Sequence, residues 1–169
     1  MCIRICAAII LAGIVTLAAA AQKANLSGTW QLNVATSYMG GDHPFSDYQL
    51  TRKIEQKQDA IAITDVSVHN SVVNIPLPDS TTTMEIATDG KEHEVHLPGM
   101  WPGQPPTKEM VTAAWQGGTL ELRQVTNGLA IYAKRRLFLS EDGSHLVELV
   151  EQHSIYGDLE QRLVYDKAP

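Results

Sequence analysis

The chain is 169 residues long and carries a net charge of −6, from 13 Lys+Arg against 19 Asp+Glu. An acidic chain with no basic cluster is a poor match for a phosphate backbone, so no nucleic-acid partner is expected. Its 44% hydrophobic and 19% charged residues are proportions of a folded domain, not of a disordered chain.

The N-terminus is read first. Met1 to Arg4 is a short basic start, residues 5–17 are apolar or small, and four alanines fill 18–21. A positive n-region, a hydrophobic run and a small-residue site predict a signal peptide over 1–21, cut before Gln22. The apolar run is shorter than the roughly 20 residues a span needs, so no membrane span is expected after cleavage. Cys2 and Cys6 both fall in this segment, which leaves the expected mature domain, 22–169, with neither disulfide nor thiol nucleophile. The expected location is periplasmic or secreted.

Beyond residue 22, short alternating runs recur between turn dipeptides, and helical signals are almost absent. Trp30, Leu32 and Val34 alternate with polar neighbours, as do Tyr48, Leu50 and Ile54. Further runs cover 60–68, 71–77, 82–88, 109–116, 119–126, 130–140, 145–155 and 159–165. Asp89-Gly90, Gly117-Gly118, Asn127-Gly128, Asp142-Gly143 and Gly157-Asp158 separate several of them and suit tight hairpins. Hairpin after hairpin, with no crossover helix, predicts an all-β, antiparallel up-and-down sheet of about 8–10 strands. Closure into a barrel removes its exposed edges.

Turn positions then set the register. A two-residue loop at Gly117-Gly118 pairs Trp115 with Leu120, Ala113 with Leu122 and Val111 with Gln124. A two-residue loop at Asn127-Gly128 pairs Leu122 with Ala133 and Leu120 with Arg135, and sets Glu121 against Lys134 outside. Both hairpins agree on which face is inside. The next turn has two readings. A three-residue loop over 141–143 turns Leu137, Leu139, Val147, Leu149, Glu151 and His153 inward; a two-residue Asp142-Gly143 loop turns in Leu146, Glu148, Val150 and Gln152. The first is preferred, since it gathers more apolar surface. At the last turn a one-residue slip decides between Gln161 and Arg162 as the inward residue.

Several segments carry a resemblance. They are 25–30 (Asn-Leu-Ser-Gly-Thr-Trp, with its G-x-W), 88–92, Ala114-Trp115 with 117–120, 139–143, and 164–167. Together they resemble the bacterial lipocalin-like domain proteins, exported calycin-type barrels, across nearly all of 22–169. The resemblance implies a central cavity and a tryptophan closing one end against a basic side chain, with Arg162 as the candidate. It assigns no catalytic residue. The loop over 97–106, rich in proline and holding Met100 and Trp101, departs from that pattern and could form a lid or simply cover its own tryptophan.

The sharpest chemical feature is a polar set in phase with the inward face: Arg52, Gln124, Arg135 and Glu151, with His153 possible in the preferred register. A charge inside a barrel must be paired or hydrated. Arg52 and Arg135 can bind an anionic group, because a guanidinium fork matches a carboxylate. Alternatively, Arg135 and Glu151 form a structural ion pair. His93 and His96 lie on opposite faces of a strand and cannot share an ion, and two ligands from Glu94 and His96 make an incomplete metal site. No G-x-S-x-G elbow occurs, and Glu148 and Glu151 fall on opposite faces.

The expectation is a barrel binding a small hydrophobic or amphipathic, possibly anionic, molecule, with no cofactor. Its expected site is Arg52, Arg135 and Glu151 with Tyr48, Leu50, Trp115, Leu120, Leu122 and Leu137. Two alternatives stand beside it. One is an interaction module with a packed core and an outer patch at Phe138, Leu146 and Val150. The other is a barrel hydrolase or isomerase that depends on Glu151.

Overall fold

The alternation of apolar and polar residues after residue 22 resolves into ten antiparallel strands. The computed structural model describes residues 22–40, 48–69, 79–98, 103–126, 131–155 and 157–169, without the side chains of Tyr48, His69 and Ile131. The strands are β1 (Gly28–Leu32), β2 (Tyr48–Gln56), β3 (Ala60–His69), β4 (Ser80–Ala87), β5 (Glu92–Leu97), β6 (Thr107–Gln116), β7 (Thr119–Thr126), β8 (Ile131–Leu139), β9 (His145–Ser154) and β10 (Gly157–Lys167). The segment 1–21, the run 71–77, and Met100 and Trp101 lie outside the described residues.

The sheet order is β4-β3-β2-β1-β10-β9-β8-β7-β6-β5. Every strand pairs with its neighbours in sequence except β4 with β5, and β1 also pairs with β10, which brings the first and last strands together. β4 and β5 end the ladder and lie against each other without pairing, so the sheet curls into a nearly closed barrel. Among the described residues no helix is long and apolar enough to cross a membrane.

The inward positions make one core. Ile54, Ile61, Ile86, Val111, Leu120, Leu122, Leu137, Leu146 and Tyr165 are among its fully buried members. Trp30 belongs to this core and donates its Nε1–H to the Leu26 carbonyl at 3.0 Å, so its polar atom is satisfied where it is buried. The basic partner over its ring is Lys167, with Nζ 6.0 Å from the ring centroid, because β1 pairs Trp30 directly with Lys167. Arg162, the expected partner, is exposed and donates to the Thr36 carbonyl.

The turns explain which expected registers hold. Gly117-Gly118 gives the expected pairs, Trp115 with Leu120, Ala113 with Leu122 and Val111 with Gln124. Gly117 takes φ +62, the positive φ that the first central position of a type II′ turn requires. Between β7 and β8 the connection is four residues long, so pairing moves by two: Leu122 meets Arg135 and Gln124 meets Ala133. A two-residue shift keeps every side chain on its expected face. The Glu121–Lys134 ion pair therefore survives as a diagonal contact, at 3.3 Å.

The turn after β8 corrects the preferred reading. Leu139 pairs with Leu146, so Leu146, Glu148, Val150 and Gln152 follow the inward phase, and Glu151 and His153 face out. Asp142 sets this turn. Its carboxylate accepts from Ser140 Oγ (2.6 Å), Ser144 N (3.1 Å) and Ser144 Oγ (2.7 Å), while His145 N donates to Ser140 Oγ. These side-chain bonds hold a four-residue loop with Gly143 at φ +71. With Leu146 and Val150 buried inside, the outer patch expected at Phe138, Leu146 and Val150 does not form.

Candidate functional site

The middle of the barrel is crossed by a buried ionic network drawn from five strands. On β2, Arg52 stands in phase with Leu50 and Ile54 and is 1% exposed. β3 places Asp65 directly opposite, and the pair is bidentate: Nε to Oδ1 and Nη2 to Oδ2, both 2.7 Å. The third guanidinium nitrogen, Nη1, donates to Glu148 Oε2 of β9 at 2.6 Å. Tyr165 of β10 donates its hydroxyl to the same oxygen at 3.0 Å, and its ring lies 4.9 Å from the Arg52 guanidinium carbon. Arg135 of β8 donates Nε to Glu148 Oε1 at 2.5 Å.

Two guanidinium groups, two carboxylates and one phenol balance to zero charge. Burial of ions costs several kcal/mol each unless they are paired and hydrogen-bonded, and here both oxygens of Glu148 are matched. Burial alone would raise the Glu148 pKa, but Arg135 and Arg52 outweigh it and hold the carboxyl down at about 2. Burial and the Glu148 charge push the Tyr165 hydroxyl well above its ordinary range, so it stays a donor. Burial would lower the Arg52 pKa, yet Glu148, Tyr165 and Asp65 carry it well above the usual value.

Two cavities, each partly open to solvent, lie beside this network. One chamber of about 340 Å³ is bordered by Gln124, Thr126, Ala133, Arg135, Gln152 and Gln161, among others. A second, of about 320 Å³, is bordered by Leu50, Asp65, Ser67, Ser80, Thr82 and Tyr165, among others. Arg135 and Leu163 border both. All three nitrogens of Arg52 are engaged in ion pairs. Arg135 uses only Nε among the described residues, and its side chain keeps 18% exposure, which leaves two terminal nitrogens free to donate.

The expected site residues separate into groups. Arg52, Arg135 and Leu50 border the second chamber together. Leu120, Leu122 and Leu137 are buried core packing and border neither chamber, and Trp115 is half-buried against that core. Tyr48 opens β2, and its side chain lies outside the described residues. Glu151 is a correction: it sits on the outer face and pairs with Arg136 at 2.5 Å, so the barrel-enzyme reading loses its carboxylate in the cavity. His153 is also outside, bonded to Asp158 and stacked on Tyr132.

Glu148, Asp65, Tyr165 and Gln152 are absent from the expected site. Asp65 follows Ile61 and Ile63 in inward phase, and that phase, opposite an inward Arg52, is the signal that marks it. His93 bonds Asp89 and His96 lies by Glu94; among the described residues no three His, Cys, Asp or Glu side chains gather as a metal site.

No family model and no curated protein sequence matches the chain. Solved structures do. One described as REP1-NXSQ fatty acid transporter aligns with TM-score 0.57 at 13% identity, over 85% of this chain and 96% of that one. Human cRBP IV aligns with TM-score 0.52 at 19% identity, over 86% and 99%. The zebrafish ileal bile acid-binding protein, complexed with cholic acid, aligns with TM-score 0.53 at 18% identity, over 84% and 98%. The fold is that of a calycin-type barrel. At these identities the likeness is one of architecture, and what the interior can hold is argued from its own residues.

Proposed function

We propose that this protein is an exported barrel that carries a small hydrophobic or amphipathic molecule, and that Arg135 anchors an anionic group on it. The carrying observation is the position of Arg135. It borders both chambers, spends one nitrogen on Glu148 and offers the rest of its fork to the interior. Glu148 in turn fixes the direction of that fork, and donors already held in place bind a carboxylate with little reorganisation. Leu50, Val150 and Leu163 on the chamber walls supply apolar contact, worth about 25 cal/mol per Å² removed from water. Arg52 has a positioning role, since Asp65 and Glu148 occupy its guanidinium. The names of the structural neighbours, a fatty acid transporter and a bile acid-binding protein among them, agree with cargo of this size and character.

Export rests on the charge and apolar plan of residues 1–21. N-terminal sequencing of protein recovered from its own host then reads Gln22 as the first residue. Anchoring is tested by calorimetric titration with octanoate. Wild type binds it, Arg135→Gln loses at least tenfold in affinity, and Arg135→Lys, which keeps the charge without the fork, falls between them. Equal affinity in all three overturns the anchor.

A further inference from the structure

The first chamber has an unusual wall for a cavity that would carry a plain alkyl chain. Gln124, Gln161, Gln152 and Thr126 all border it. A glutamine amide offers donors on nitrogen and an acceptor on oxygen, and what it still offers depends on which end is already committed. Gln161 donates Nε2 to the Met39 backbone carbonyl at 2.7 Å. A carbonyl can only accept, so the nitrogen must face Met39. Gln124 likewise donates Nε2 to the Glu109 carboxylate, which is 7% exposed and reaches in from β6. Both amides therefore turn their nitrogen to the wall and commit one N–H there. Their carbonyl oxygens remain as open acceptors, and no donor among the described residues reaches them.

The wall of the chamber thus carries groups of both kinds. Arg135 presents donors, and the two glutamines present acceptors. From this we infer that the ligand is a hydroxyl-bearing acid: its carboxylate meets Arg135 and its hydroxyl donates to the Gln124 and Gln161 oxygens. An acceptor that loses its water to a ligand without gaining a donor costs about 1–3 kcal/mol, so a site of this kind disfavours an analogue that lacks the hydroxyl. This inference rests on the anchored-cavity reading and narrows its ligand class.

The experiment compares octanoate with 8-hydroxyoctanoate by calorimetry on the intact protein. The expected result is that the hydroxy acid binds wild type at least tenfold more tightly. In Gln124→Leu and Gln161→Leu that advantage falls below threefold, with folding of each variant checked by its melting transition. The wild-type comparison decides even if both variants fail to fold. Equal affinity of the two acids, or tighter binding of octanoate, overturns the donor-seeking chamber while leaving the Arg135 anchor standing. Binding of neither acid overturns both.

Discussion

Arg135 Nε lies 2.5 Å from Glu148 Oε1, and that contact exists because the turn between β8 and β9 pairs Leu139 with Leu146. A turn of the opposite parity would put Glu151 inside and Glu148 in solvent. The position of one carboxylate therefore reports the register of a hairpin and the electrostatics of the cavity at once.

Glu148→Gln preserves shape and removes the charge on which two guanidinium groups converge. Breaking a buried pair in this way is expected to cost about 3–5 kcal/mol. Glu151→Gln on the outer face, whose ion pair with Arg136 is well solvated, costs at most about 1 kcal/mol. Urea denaturation of the two variants against wild type measures both.

The same carboxylate sets a dependence on pH. Its folded pKa, about 2, is below the 4.5 of an unperturbed glutamate, so the stability it contributes is fully present above pH 4.5 and is lost as pH falls through 2. Melting temperatures from pH 7 down to pH 2 should show the gap between wild type and Glu148→Gln closing across that window. A constant gap contradicts the assignment.

Two glycines separate backbone strain from steric clash. Gly143 has φ +71 and open space where a Cβ would stand, so Gly143→Ala costs about 1 kcal/mol from conformation alone. Gly40 has φ +80, and a Cβ there would stand 2.3 Å from Leu159 Cδ1. Gly40→Ala is expected to destabilise more than Gly143→Ala, as read from urea midpoints.

Around β1, Trp30→Phe removes the buried bond to the Leu26 carbonyl and leaves that acceptor unmatched, at a cost of about 1–3 kcal/mol. Lys167→Ala removes only an exposed cation above the ring, worth at most about 1 kcal/mol. Thermal melting of the pair tests the order.

Much of the fold was legible, and the reasons are local. Trp115, Gly117-Gly118 and Leu120 define a hairpin in which the turn alone determines the pairing, and the pairing is as read. Between β7 and β8 the loop is longer than its Asn-Gly signal suggested, but an even shift left Arg135 inward. The β8–β9 turn misled because both faces of β9 are apolar: Val147 and Leu149 compete with Leu146 and Val150 for the core. Alternation cannot choose between such faces. The choice lies in the serine and aspartate bonds of the turn, which hydrophobic phase does not encode. The cavity lining was misread for a related reason. Leu120, Leu122 and Leu137 pack too well to leave space, and the chambers open beside shorter or polar residues such as Ala133, Ser67 and Gln152.

Native mass spectrometry of wild-type and Arg135→Gln protein, each purified from the protein's own host, tests the anchored cavity most directly. The account predicts a retained small-molecule mass on wild type that is lost from the variant. The same mass on both, or none on either, contradicts it.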